Sequence, residues 1–215
     1  MAPAFSTGIF ISGGGSFAEY AKRHSELSDV KITIIADREK VGHPESVDIW
    51  LLKKENPDYW ERFLETALRF DLIFINFNWI IPPDICSRLW GRMINHHPAL
   101  LPAFRGLNIA QAVLRSGVKI SGSTFHFVTE ELDNGPIIAQ TFFPVEPDDT
   151  PQSLGLKNWL ASKDAYVQVI RWFANGRVEL TDDNRVRING ASYRMHTPCI
   201  PAIDFKEAAD EMPFD

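Results

Sequence analysis

The sequence predicts an α/β protein built on a doubly wound, mostly parallel sheet, with a small hairpin near the C-terminus. Three observations carry this. Short, near-continuous apolar runs at Gly8–Ser12, Lys31–Ala36 and Asp71–Asn76 have the length and β-branching of strands covered on both faces. Between the last two, apolar residues fall at 60, 63, 64, 67 and 68, the spacing of one helix face. Strands that alternate with helices need crossover connections, and crossovers pair strands in parallel.

Each element follows in order. Gly8-Ile9-Phe10-Ile11-Ser12 runs into Gly13-Gly14-Gly15-Ser16, and Phe17 to Lys22 reads as helix. Strand, tight loop and helix form the opening unit of a doubly wound sheet. Lys31–Ala36 is the second strand, Tyr59 to Phe70 the next helix and Asp71–Asn76 the third strand. Arg92-Met93-Ile94 is apolar-biased and leads into extended chain at Asn95-His96-His97. After Gly106 come a short helix from Ile109 to Arg115 and two strands, Ser121–Val128 and Ile137–Phe143. Leu154 to Ala174 reads as a long amphipathic helix, stopped by Asn175-Gly176. Two short strands between Val178 and Ile188, joined by Asp182-Asp183-Asn184, complete the pattern. With no repeat or linker, one domain over residues 1–215 is expected, with a solvated acidic tail from Asp204 to Asp215.

Composition narrows the function classes. The 215 residues suit one α/β domain, and the apolar (45%) and charged (23%) fractions are those of a soluble globular chain. A net charge of −6 argues against nucleic acid as a general partner, though it leaves room for a local anion pocket. Cys86 and Cys199 form neither a metal-type cluster nor a disulfide framework, so buried, idle thiols are expected. No basic region followed by an apolar core opens the chain, and no run reaches the roughly 18 apolar residues of a membrane span. A cytoplasmic protein without a membrane partner is expected.

The stretch richest in chemistry is Asn95-His96-His97-Pro98-Ala99-Leu100-Leu101-Pro102, followed later by Glu131-Leu132-Asp133-Asn134-Gly135-Pro136. Residues i and i+2 of an extended chain point to one side, so Asn95 and His97 face one pocket and His96 the other face. The prolines fix the loop that follows, and Asn134-Gly135-Pro136 places Asp133 at a turn. An amide donor, a base titrating near neutrality and a carboxylate make an acyl-transfer set. Gly13 to Ser16 is either an anion site of backbone N–H groups or a tight turn with Ser16 as helix N-cap. It lacks both common nucleotide-loop spacings.

The pattern N-x-H-P-x-L-L-P-x-[F/Y]-x-G, with L-D-x-G-P-I downstream, resembles the folate-dependent formyltransferases. The likeness extends to Ile9–Ser16, to Gly122–Thr129 and to Val169–Arg177, in the family's order. It implies a formyltransferase-like Rossmann-type fold and an enzyme that moves the formyl group of 10-formyltetrahydrofolate to a small primary amine, without a metal. The implied acceptor is glycinamide ribonucleotide or a related nucleotide- or sugar-linked amine, phosphorylated in the first case, and the resemblance is compatible with a homodimer. It implies Asn95 as oxyanion donor, His97 as general acid/base and Asp133 as the carboxylate that orients or tunes it, with His126 behind them. Phe77, Asn78, Trp79, Ile80 and Ile81 would line the pterin pocket, largely through backbone groups. Glu130 and Leu132 would clasp its other side, and Gly13, Gly14, Gly15 and Ser16 would hold the acceptor's phosphate.

The acceptor half departs from the family pattern. Phe17 replaces an asparagine, Asn108 a histidine and Ser162 a glutamate, and the stretch from Asp37 to Pro44 lacks the family's crossover helix. These departures favour a related but different amine. Two alternatives stand beside transfer. A formyltetrahydrofolate hydrolase uses the same three residues but usually carries an N-terminal domain, for which the early start at Gly8 leaves no room. A non-catalytic folate-binding relative would not need Asn95, His97 and Asp133 intact.

Overall fold

The computed structural model describes residues 4–77, 79–194 and 198–205. Asn78 and the tail from 206 onward therefore lie outside the described residues. The chain forms two compact units, Met1–Asn95 with Phe127–Glu130, and His96–His126 with Glu131–Asp215. The expected class holds: a mostly parallel sheet flanked by helices, with a small antiparallel hairpin late in the chain.

The first unit holds β1 (Ser6–Ile11), α1 (Ser16–Arg23), β2 (Lys31–Ala36), β3 (Ile49–Trp50), α2 (Tyr59–Ala67), β4 (Leu72–Asn76) and α3 (Pro83–Arg88). It also holds the start of β5 (Met93–His97). Its strands lie in the order β5-β4-β1-β2-β3, each pair parallel. The chain winds outward from β1 to β3, then returns to place β4 on the other side of β1. That reversal is a topological switch point, where open sheets leave a crevice beyond the strands' carboxyl ends. The loops at this crevice are Gly13–Ser16 and the segment after Asn76, and Ser12 N–H donates to Asn76 O across their roots at 3.2 Å. Phe10, Ile35, Phe63, Ile73, Ile75 and Met93 build the core beneath, with the Phe10 and Phe63 ring centroids 4.5 Å apart.

The second unit contains α4 (Ile109–Ser116), most of β6 (Ile120–Phe127), β7 (Ile137–Pro144), α5 (Pro151–Ala174), β8 (Val178–Leu180), β9 (Val186–Ile188) and β10 (Cys199–Ile200). β7 is antiparallel to β6 on one edge and to β10 on the other, and β8 and β9 form the hairpin. Ala99, Ile109, Val113, Phe143 and Leu154 make a core cluster. Helix α5 starts three residues before the apolar pattern does. Thr150 accepts from Ser153 N–H at 3.1 Å and Ser153 Oγ accepts from Thr150 N–H at 2.9 Å, a capping box with Pro151 just inside it.

Nor is α5 amphipathic, as its sequence led us to expect. Residues 162–170 are all buried, so apolar periodicity fades where the helix has no solvent face. Its polar side chains have partners instead. Gln168 and Trp172 both donate to Asp204 Oδ2, at 3.2 and 3.1 Å. On β6, Gly122 leaves no room for a side chain, since a Cβ there would fall 1.8 Å from Thr141 O. Gly122→Ala is therefore expected to lower unfolding free energy by about 1–3 kcal/mol, the usual cost of overpacking. A urea midpoint equal to the parent's would show that the sheet absorbs the methyl group.

Candidate active site

Strand β5 carries Asn95 and His97 two residues apart, with Asn95 in parallel register opposite Ile75. Beyond it, Thr124 fixes the next loop. Its hydroxyl accepts from Leu101 N–H at 3.0 Å and donates to Ala99 O at 2.7 Å. Gln140 Nε2 donates both to that hydroxyl and to Leu101 O, at 3.0 Å each. The loop then turns through Phe104, whose φ of 56° is left-handed. Its carbonyl faces His97 Nε2 at 2.9 Å.

His97 and Asp133 are both buried. Asp133 Oδ2 lies 3.4 Å from His97 Nδ1 and accepts from Gly106 N–H at 2.9 Å. Asp133 Oδ1 lies 3.8 Å from His126 Nε2, so the carboxylate stands between two imidazoles. Arg105 Nη2 donates to Asn134 Oδ1 at 2.6 Å, tying the loop after Phe104 to the turn after Asp133. Asp133 is itself left-handed, with φ 52°. A carbonyl can only accept, so Nε2 of His97 carries a proton. Nδ1 is the nitrogen that faces the Asp133 carboxylate.

His96 turns to the other face, as alternation requires. Its ring packs 4.8 Å from Phe125 and 6.1 Å from Tyr166. Burial, and then the neighbouring His97 and His126, push its pKa down to about 3. It stays neutral where His97 would work. The two cysteines are buried and in no disulfide, and burial together with the charges of Glu130 and Asp84 pushes the Cys86 thiol up.

The remaining candidate residues divide. Phe77 packs against Phe63 and Trp60, at 5.9 and 6.4 Å between centroids, and Ile81 is buried in the same core. Their side chains serve the fold, which leaves the backbone of this segment for a ligand. Trp79 and Ile80 are exposed, Ile80 to 78%. Glu130 lines a cavity of about 350 Å³ with Cys86, Ser87, Trp90 and Thr129, and accepts from Ser87 Oγ at 3.0 Å. Leu132 is exposed. At the Gly-rich loop, Gly15 (φ 76°) occupies the N-cap of α1 and Ser16 the first helical position, so the reading of Ser16 as a side-chain cap does not hold. Gly13 is exposed, and nothing lies within 4 Å of where its Cβ would be. Ser162 is fully buried and bonded to Thr141 Oγ1 (2.7 Å) and Ser123 Oγ (3.1 Å), so its hydroxyl belongs to the core.

Glu19, His43 and Glu45 bring ligand-type atoms within 4.8 Å of one another. Glu19 is already engaged there by Arg23, by Ser46 Oγ at 3.0 Å and by His43 Nδ1 at 3.0 Å, which makes it an anchor for the segment 43–46. Sequence reasoning missed Thr124, the Phe104 carbonyl and the buried Asp37. Phe104 and Thr124 stand inside the family pattern without a role read from it, and Asp37 left a trace as a carboxylate directly after a buried strand.

An imidazole held between a carbonyl and a carboxylate, with an amide two residues before it in the chain, is a residue set that suits acyl transfer to an amine. Residues 64–170 match the formyl transferase family. The chain is 36% identical over 118 residues to phosphoribosylglycinamide formyltransferase of Haemophilus influenzae, a match that covers 54% of this chain and 56% of that protein. It therefore spans little more than half the length of that relative. With the chloroplastic phosphoribosylglycinamide formyltransferase of Arabidopsis thaliana it shares 30% identity over 198 residues, covering 81% of this chain and 67% of the other. The crystal structure of phosphoribosylglycinamide formyltransferase from Anaplasma phagocytophilum superposes with a TM-score of 0.78 at 31% identity, over 87% of this chain and 96% of that one. The chain belongs to the formyl transferase family.

Proposed function

We propose that this protein transfers the formyl group of 10-formyltetrahydrofolate to the primary amine of glycinamide ribonucleotide or a close nucleotide- or sugar-linked relative. The observation that carries the reading is His97, held by the Phe104 carbonyl on one nitrogen and facing Asp133 on the other. In this reading the amine nitrogen attacks the formyl carbon, and Asn95 donates to the oxyanion of the tetrahedral intermediate. The bond from the formyl carbon to N10 then breaks. His97 takes the amine's proton on Nδ1 beside Asp133 and returns it to the departing nitrogen. The crevice at the switch point supports Gly13–Ser16 for the acceptor's phosphate and the segment after Asn76 for the folate, while Glu130 and Leu132 are assigned to the folate by the resemblance alone. No step in this reading calls on a metal.

Tetrahydrofolate release, measured with and without candidate amines, tests the reading. Release that depends on the amine is expected. Release at the same rate without amine would make the protein a hydrolase, and no release with any amine would make it a binding protein. A kcat/KM for glycinamide ribonucleotide above about 10⁵ M⁻¹s⁻¹ would assign that compound as the acceptor. A value far below it, beside an efficient second amine, would assign the relative instead.

A further inference from the structure

The segment after β2, where the family's crossover helix is missing, is fastened to both loops of the switch-point crevice. At Gly42 it lies on the Gly-rich loop. Gly42 N–H donates to Gly13 O at 3.2 Å, and a Cβ on Gly42 would fall 2.5 Å from Gly14 O. Its middle is pinned by the His43 and Ser46 contacts to Glu19 and by Lys22 to Asp48 at 2.7 Å. Asp48 in turn accepts from Ile34 N–H at 2.8 Å.

Its first residue, Asp37, is a buried carboxylate at the end of β2, 4% exposed. Ser12 Oγ donates to Asp37 Oδ2 at 2.5 Å, and the Trp79 indole N–H donates to the same oxygen. The Trp79 ring is held from a second direction. Lys53 Nζ lies 3.8 Å from its centroid, and also stands over Trp60 (4.6 Å) and Tyr59 (5.3 Å). Burial lowers the Lys53 pKa and the Asp37 charge partly offsets this. Lys53 is tied to the hub through its backbone as well, its N–H donating to Asp37 O at 2.9 Å. Within the exposed run 79–80, Trp79 is thus the point at which the segment is held to the body of the unit.

We infer that Asp37 is a positioning residue for residues 79–81 of the folate-binding segment and acts through the Trp79 indole. This rests on the proposed assignment of that segment to the folate. A ligand bound largely through backbone groups needs the backbone held in advance, and a charge-assisted hydrogen bond with a stacked cation does that. Asp37 also receives Ser12, the residue that opens the Gly-rich loop, so one carboxylate sets the roots of both crevice loops.

Isothermal titration with tetrahydrofolate, together with steady-state kinetics using the amine the preceding assay identifies, tests this. Trp79→Phe keeps an aromatic ring but loses the donor. It is expected to weaken tetrahydrofolate binding by about tenfold or more, the loss typical of a charged hydrogen bond. KM for the formyl donor should rise in step, and in Asp37→Asn, the positioning residue, kcat at saturation should stay within about threefold, because uniform binding is lost and chemistry is not. Asp37→Asn should shift the same quantities in the same direction, and on the Trp79→Phe background should add nothing. Tetrahydrofolate affinity within about twofold of the parent in Trp79→Phe, or full additivity in the double variant, would overturn the inference. Failure of the parent chain itself to bind tetrahydrofolate would instead remove the functional reading on which it rests, and the inference with it.

Discussion

Alanine at His97 is expected to lower kcat by about 10²–10⁴-fold, the contribution of a positioned acid/base group. Tetrahydrofolate affinity should stay close to the parent's, because the ring is buried behind the Phe104 carbonyl and Asp133 and its proposed work is the movement of a proton. The melting temperature is the necessary companion measurement. Removing a buried imidazole leaves a cavity and an unpaired carbonyl, so a modest drop in stability accompanies the loss of rate. A kcat reduced less than about threefold would take His97 out of the proton-transfer step.

Asp133→Asn should approach the same loss by a different route. The substitution is nearly isosteric, and the amide oxygen can keep the bond from Gly106 N–H, so the turn survives. What disappears is the negative charge in front of His97 Nδ1. The imidazolium formed when the amine gives up its proton then has no counter-charge, and kcat falls within the same bracket of about 10²–10⁴. Because both residues serve one proton, the double variant should be no slower than His97→Ala alone. A kcat in Asp133→Asn within about threefold of the parent's would reduce Asp133 to a turn residue.

How much of this was legible depends on the range of the interactions that decide each element. Lys31–Ala36 is a strand to the residue, because a β-branched run covered on both faces leaves its signature within itself. Helix α5 was misjudged at both levels. Its start lies in the reciprocal Thr150–Ser153 bonds ahead of the apolar pattern, and the burial of residues 162–170 erases the periodicity that would mark a solvent face. Of the site, Asn95, His97 and Asp133 stood out through their family pattern, and the His97–Asp133 geometry gives that pattern a physical basis. Asp37 did not stand out, since its partners Ser12 and Trp79 lie 25 and 42 residues away in sequence. Phe77 and Ile81 are motif positions whose side chains pack into the core, a direction the motif alone does not reveal.

Phe104 and Asp133, the two residues that hold His97, both sit in left-handed backbone, at φ 56° and 52°. Such conformations cost an L-residue on the order of 1–2 kcal/mol, more for a bulky ring than for an aspartate. Selection for thermal robustness alone would relieve both positions with glycine. In Asp133 that relief deletes the charge, and in Phe104 it frees the loop whose carbonyl fixes the imidazole. A library screened only for heat tolerance should therefore enrich changes at these two sites and accumulate well-folded, inactive proteins. On the proposed function, activity and durability compete at the same two dihedral angles, and any effort to harden this protein must leave both of them strained.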